Sequence, residues 1–190
     1  MYKFGVDVWL PLLRMIYSII SSEYSVIIIG SQVLYLTLKV SVDTKNIDLL
    51  IEDYNPVKIA DKISDILKLE EIRYEVFRTR DGNLVTHIYI PVSRGVISLE
   101  IMSRTHLGKI SFTPLAEEIT SVNIEDVIYM TLTPEAYAFL QATRPGGYRD
   151  IDVERFKRIR EKINWDRVIR LAESYGLLNQ VVKFMREIGV

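Results

Sequence analysis

The chain has 190 residues, 48% of them hydrophobic and 26% charged, with a formal net charge of −1. That is the composition of one sizeable folded domain, or of a core domain with a small appendage. It contains no cysteine, which excludes disulfides, thiolate metal sites and a cysteine nucleophile, and the net charge argues against tight non-specific nucleic-acid binding while leaving room for a local basic face.

No apolar run approaches the length of a membrane span. Asp7, Arg14 and Glu23 interrupt the apolar N-terminus and no small-residue cleavage site follows, so the protein is read as cytoplasmic, with neither leader nor membrane partner. Over residues 7–23, Trp9, Leu12, Leu13, Ile16 and Ile20 recur at helical spacing and predict an amphipathic helix. Residues 25–29 are a short β-branched run, the pattern of a strand buried on both faces. Gly30-Ser31 ends it, and residues 32–38 follow as a short helix with Ser31 at its N-cap. Residues 46–52 alternate as a second strand. Residues 56–69 carry Val57, Ala60, Ile63, Ile66 and Leu67 on one side of a helix.

Residues 73–79 and 83–90 are expected to pair as a hairpin around Arg80-Asp81-Gly82, because Asp-Gly is a strong turn signal. Residues 95–102 give another strand and 109–113 one more. Past about Thr120 strand signals stop. Thr133-Pro134 opens a helix and Arg144-Pro145-Gly146-Gly147 breaks it. Helices over 150–163, 164–175 and 177–188 complete the chain, with Asn164 as a cap and Gly176 as a stop. The expected layout is an α/β part with a mixed sheet, residues 1–120, followed by a C-terminal helical region, 121–190, packed on it.

Side-chain direction locates the chemistry. Residues two apart in a strand share a face. Ile47, Leu49 and Ile51 therefore form one aliphatic face and Ile97, Leu99 and Ile101 another, while Asn46, Asp48, Leu50 and Glu52, and Val96, Ser98, Glu100 and Met102, take the opposite sides. If the two strands are neighbours, Asp48 and Glu100 converge. Adjacent carboxylates repel, and an oxygen-only pair favours Mg²⁺ or Mn²⁺. Gly30 allows close approach of a ligand to the backbone, and a helix start favours phosphate. A phosphate cradle followed by a carboxylate strand describes a site for a nucleoside triphosphate (NTP) and its metal.

Ile29-Gly30-Ser31 followed by Thr44-Lys45-Asn46-Ile47-Asp48-Leu49-Leu50-Ile51 resembles the signature of the DNA polymerase β-like nucleotidyltransferase superfamily, and within it the small prokaryotic minimal and abortive-infection-type nucleotidyltransferases. Tyr148-Arg149-Asp150-Ile151-Asp152 looks like the helical segment after their core. The resemblance implies a nucleotidyltransferase-like α/β fold. It implies Gly30 and Ser31 as the phosphate turn, Asp48 as the second Asp of an Asp-x-Asp metal motif and Glu100 as the third carboxylate. It also implies transfer of a nucleoside monophosphate to a protein or tRNA acceptor. The sequence departs from the pattern at Asn46, which stands where the first Asp is expected. An amide oxygen can ligate a cation but brings no charge, so metal affinity should fall. That departure keeps a second reading open, in which the fold serves as a nucleotide-binding or protein-interaction module without catalysis. Asp43 lies at an odd offset from Asp48 and is expected on the other face.

Other features have plainer readings. His87 and His106 lack partners at metal-site spacing and are given no role. Arg155, Lys157, Arg158, Arg160 and Lys162 read as a solvated helix face, with contact to RNA or a triphosphate as the alternative. Trp9 and Trp165 read as packing residues.

Overall fold

A computed structural model describes residues 3–80 and 82–190; Asp81 of the Asp81-Gly82 turn lies outside the described residues. Among them, seven strands form one mixed sheet: β1 (Ile27–Ile28), β2 (Asn46–Leu50), β3 (Arg73–Arg78), β4 (Leu84–Val92), β5 (Gly95–Met102), β6 (Ile119–Ile124) and β7 (Val127–Leu132). Their order is β3-β4-β5-β2-β1-β7-β6. β2 runs parallel to β5, and β1 parallel to β7; the other pairs are antiparallel.

Seven α-helices surround the sheet: α1 (Val6–Ile20), α2 (Gln32–Leu38), α3 (Pro56–Leu67), α4 (Pro134–Ala142), α5 (Asp150–Ile159), α6 (Trp165–Ser174) and α7 (Leu178–Ile188). Local chemistry sets their starts. Asn55, Thr133 and Asn164 each accept a hydrogen bond from the backbone N–H three residues on, a cap typically worth about 1 kcal/mol. Ile47, Leu49, Ile51, Ile97, Leu99 and Ile101 are all buried in one core with α1 and α3 residues such as Trp9, Leu13, Ile59 and Ile63, as the alternation predicts. Trp9 is fully buried and donates its indole N–H to the Val42 carbonyl, and Trp165 packs on Phe156. No helix among the described residues is long and apolar enough to cross a membrane.

Two element readings need correction. β6 begins at Ile119 and β7 lies wholly beyond Thr120, where the sequence carries no strand signal, and β7 joins the sheet through β1. Glu125 and Asp126 turn this hairpin with positive φ values of 48° and 66°. Neither residue is glycine or asparagine, so the usual hairpin mark is missing. Residues 110–112 are a 3₁₀ turn rather than a strand, because Pro114 follows closely and supplies no ladder donor.

The helical segments dock through buried polar ties. Glu118 accepts from Thr133 (2.5 Å) and from Arg167 (2.9 Å), and Glu135 accepts from the Asn164 backbone N–H at 3.0 Å. These ties, with Phe156 packed against Tyr137, Trp165 and Phe184, hold α4 to α7 together beside the polar face of the sheet.

Candidate active site

β2 and β5 are paired in register, with Asp48 opposite Glu100 and Asn46 opposite Ser98. Parallel in-register partners point to the same side, so the two carboxylates stand side by side. The row continues across β4, where His87 is opposite Glu100, and β3, where Glu75 is opposite His87. This polar face floors a cleft of about 1150 Å³ whose other walls come from the Gly30-Ser31 turn, α4, the segment around Arg144 and the start of α5.

Gly30 is required by close approach. A Cβ there would lie 2.2 Å from Asp48 Oδ2 and 2.4 Å from Gln32 Oε1, so no larger residue fits without displacing the carboxylate. The turn is fixed against β2 by the Ile29 N–H donated to the Asp48 carbonyl at 3.1 Å. Buried Gln32 donates to the Asn46 carbonyl at 2.7 Å. Ser31 occupies the N-cap position of α2 but makes no capping hydrogen bond. Its own backbone is already helical, whereas a capping residue is extended; Ser31 lines the cleft instead.

Asn46 also lines the cleft, and its amide N–H donates to Asp48 Oδ1 at 2.5 Å. In this orientation its nitrogen, not its oxygen, faces the carboxylate. Asp43 lies at the cleft too, on the segment before β2; strand alternation does not govern it there. Among the described residues no group of three or more His, Cys, Asp or Glu side chains converges as a metal cage. The set of oxygen-bearing groups that the floor brings together includes two adjoining carboxylates, Asp48 and Glu100, and the Asn46 amide. It suits a single hard cation that takes its remaining oxygens from water and phosphate, the usual state of Mg²⁺ in phosphoryl-transfer sites.

Three arginines hang over the carboxylates. Burial and then the neighbouring Glu100 charge raise the half-buried Asp48 carboxyl, against the pull of Arg149, Arg144 and Arg155, to about 7. Arg149 and Arg155 are aimed by Asp152, which is wholly buried. Asp152 accepts from Arg149 Nε (2.6 Å) and Nη2 (3.0 Å), and from Arg155 Nη1 (3.2 Å). Arg155 also donates to the hydroxyl of buried Tyr137 at 3.0 Å, a phenol that burial pushes up to about 12. In all, six cationic side chains (Lys3, Lys45, Arg80, Arg144, Arg149 and Arg155) face three carboxylates across the cleft. A chain of net charge −1 thus presents a locally positive cavity, which concentrates anions.

The fold has known relatives. A family described as nucleotidyl transferase of unknown function (DUF2204) matches residues 11–187. The chain belongs to this family. Two solved structures share its fold: a Helicobacter pylori protein described as a nucleotidyltransferase and a second H. pylori protein, JHP933. The first is 15% identical, with a TM-score of 0.57 over 94% of this chain and 89% of that one. The second is 14% identical, with a TM-score of 0.56 over 94% and 86%. No curated protein sequence matches the chain.

For this member of the nucleotidyl transferase family, sequence reasoning missed the arginine roof and the two histidines. His87 and His106 both line the cleft. Burial lowers the His106 pKa, and its Nε2 meets the Thr143 hydroxyl at 3.1 Å. Arg155 leaves the basic run, which otherwise faces solvent, and turns into the cleft. Its signal in sequence was faint: Asp152 precedes it by three residues, the spacing of an intrahelical ion pair.

The strained charge balance has a thermodynamic consequence. The folded state binds the Asp48 proton more tightly than the unfolded chain, whose pKa is near 3.8. Its contribution to stability is therefore fully present below that value and is lost as pH rises through about 7. Without divalent cations, Asp48→Asn should be more stable than wild type at pH 8, by on the order of 2 kcal/mol once solvent screening in the open cleft is allowed for. Urea denaturation at pH 5 and pH 8 checks this. An equal decline in the variant would assign the pH dependence to other groups.

Proposed function

We propose that the protein transfers a nucleoside monophosphate from an NTP to a hydroxyl acceptor. The observation that carries the reading is the in-register Asp48–Glu100 pair facing three arginines across one cleft. Carboxylates gather a cation, guanidinium groups gather phosphate, and a triphosphate with its cation needs both.

In this reading Gly30 and Ser31 receive the phosphates at the open end of β1, and Arg149 and Arg155 bind their equatorial oxygens. Asp48 and Glu100, with Asn46 beside them, hold Mg²⁺ or Mn²⁺. Bound there, the cation supplies neutralisation of phosphate charge and polarisation of the reacting phosphoryl group. Glu100, on the strand farther from β1, accepts the proton of the attacking hydroxyl. Positioning and charge neutralisation would carry most of the rate enhancement.

The Asn46 amide favours a second reading. It donates to Asp48 Oδ1 and so competes with a cation for that oxygen, as suits a nucleotide-binding module that has lost catalysis. Both readings require nucleotide binding. Calorimetric titration of the protein with an NTP, with and without Mg²⁺, should show cation-dependent binding, weakened about ten-fold or more in Arg149→Ala through loss of a charge-assisted contact. No binding under either condition would rule out both.

A further inference from the structure

We propose that β6 is a docking edge for an extended strand of a partner protein, uncharged in its middle and basic at both ends. This is independent of the nucleotidyl-transfer reading. β6 ends the sheet on the side away from β3, and no β6 or β7 residue lines the cleft.

The sheet has two open edges, β3 and β6. A free edge is a row of unpaired backbone N–H and C=O groups, and proteins blunt such rows with charge, proline or a bulge. β3 is blunted by Arg73, Glu75 and Arg78. β6 is Ile-Thr-Ser-Val-Asn-Ile, with no charge and no proline, and it pairs with β7 without interruption. The ladder shows which groups it leaves open. The Thr133 N–H donates to the Glu118 carbonyl at 2.8 Å, and alternate residues of an antiparallel strand turn both backbone groups the same way. Thr120, Val122 and Ile124 therefore face β7, while Ile119, Ser121 and Asn123 turn theirs outward. No backbone partner among the described residues takes these up.

Beside that row lies apolar surface. Ser121 stands opposite Met130 and Asn123 opposite Ile128; the short polar residues leave Ile128 63% and Met130 39% exposed. Long apolar side chains on an added strand would cover them. The hairpin is also held in place from behind: the Tyr17 hydroxyl accepts the Met130 N–H at 2.7 Å, and its ring packs on Tyr129 at 4.9 Å. A preformed edge of this kind suits strand addition, in which main-chain hydrogen bonds supply affinity and alternate side chains supply selectivity.

Charge selects the occupant. Four acids flank β6. Glu118 is paired with Arg167, and Glu125 with Arg14. Glu117 before the strand and Asp126 after it are exposed and have no ion pair among the described residues. Each end of the edge thus keeps one uncompensated negative charge. A second copy pairing antiparallel through β6 would bring Glu117 of each copy toward Asp126 of the other, a like-charge contact at both ends. A strand with Lys or Arg at both ends meets opposite charge whichever way it runs.

The test is fluorescence anisotropy with two labelled synthetic peptides, each alternating threonine and valine, one between paired lysines and one between paired glutamates. Wild type should bind the lysine-flanked peptide, less tightly as salt rises, and the glutamate-flanked one about ten-fold more weakly, the scale of two exposed ion pairs. Ser121→Pro removes an outward N–H at an edge position, where proline is tolerated, and should weaken lysine-flanked binding about ten-fold or more. Should that variant fail to fold, the double substitution Glu117→Lys and Asp126→Lys leaves the edge intact and should reverse the preference between the peptides. No binding of the lysine-flanked peptide overturns the proposal. So does equal binding of the two peptides, unchanged binding by a folded Ser121→Pro, or an unreversed preference in the double variant. A wild-type dimer in sedimentation equilibrium that Ser121→Pro dissociates overturns it in favour of a second copy.

Discussion

Asp152→Ala should cost about 3–5 kcal/mol of stability, the range for removing one partner of a buried ion pair. Asp152 has no exposed surface and accepts three hydrogen bonds from two guanidinium groups. The Arg155 side chain is only 16% exposed, so its charge would remain inside without a counterion, against a phenol that burial keeps protonated. The same substitution should disorganise the roof over Asp48 and lower NTP affinity beyond the stability loss. Urea denaturation measures the first effect, and calorimetry at a temperature where the variant is still folded measures the second. A variant within about 1 kcal/mol of wild type, a loss no larger than that of an ordinary surface contact, would show that Asp152 does not hold the arginines.

Asn46→Asp should raise divalent-cation affinity and the transfer rate by roughly 10- to 100-fold, the scale on which groups around a metal tune it. The new carboxylate would stand where Asn46 now donates to Asp48 Oδ1, and opposite Ser98 rather than another acid. Without cations the variant should be less stable than wild type, because a hydrogen bond becomes a like-charge contact. Saturating Mg²⁺ should reverse that order, since a ligand bound only by the folded state stabilises it. The crossover is read from melting temperatures with and without Mg²⁺. Its absence would mean that the pair at positions 46 and 48 does not share a cation.

How much of this was readable in sequence depended on how local the signal was. Period-two alternation placed Asp48 and Glu100 on polar faces opposite buried Ile47, Leu49, Leu99 and Ile101, as the strands show. That β2 and β5 are parallel neighbours, which brings the carboxylates together, is a property of the whole topology: α3 and the β3–β4 hairpin lie between them in the chain. The arginine roof depends on tertiary structure twice over, since Arg144, Arg149 and Arg155 reach the cleft only because α4 to α7 dock there and buried Asp152 turns two of them inward. The β6–β7 hairpin was hidden because its turn places Glu125 and Asp126 at positive φ, a conformation usually flagged by glycine or asparagine. Ser31 shows the opposite case: its residue type suggests a cap, but its helical backbone prevents one.

The most direct test is incubation of the purified protein with α-³²P-labelled NTPs and Mg²⁺ or Mn²⁺, alone and with cell extract, beside Asp48→Ala and Asn46→Asp. Nucleotidyl transfer at the Asp48–Glu100 pair predicts that wild type moves label onto an acceptor, that Asp48→Ala abolishes this, and that Asn46→Asp increases it. A silent wild type, with label transfer only after Asn46→Asp, would contradict it and leave a nucleotide-binding fold without catalysis.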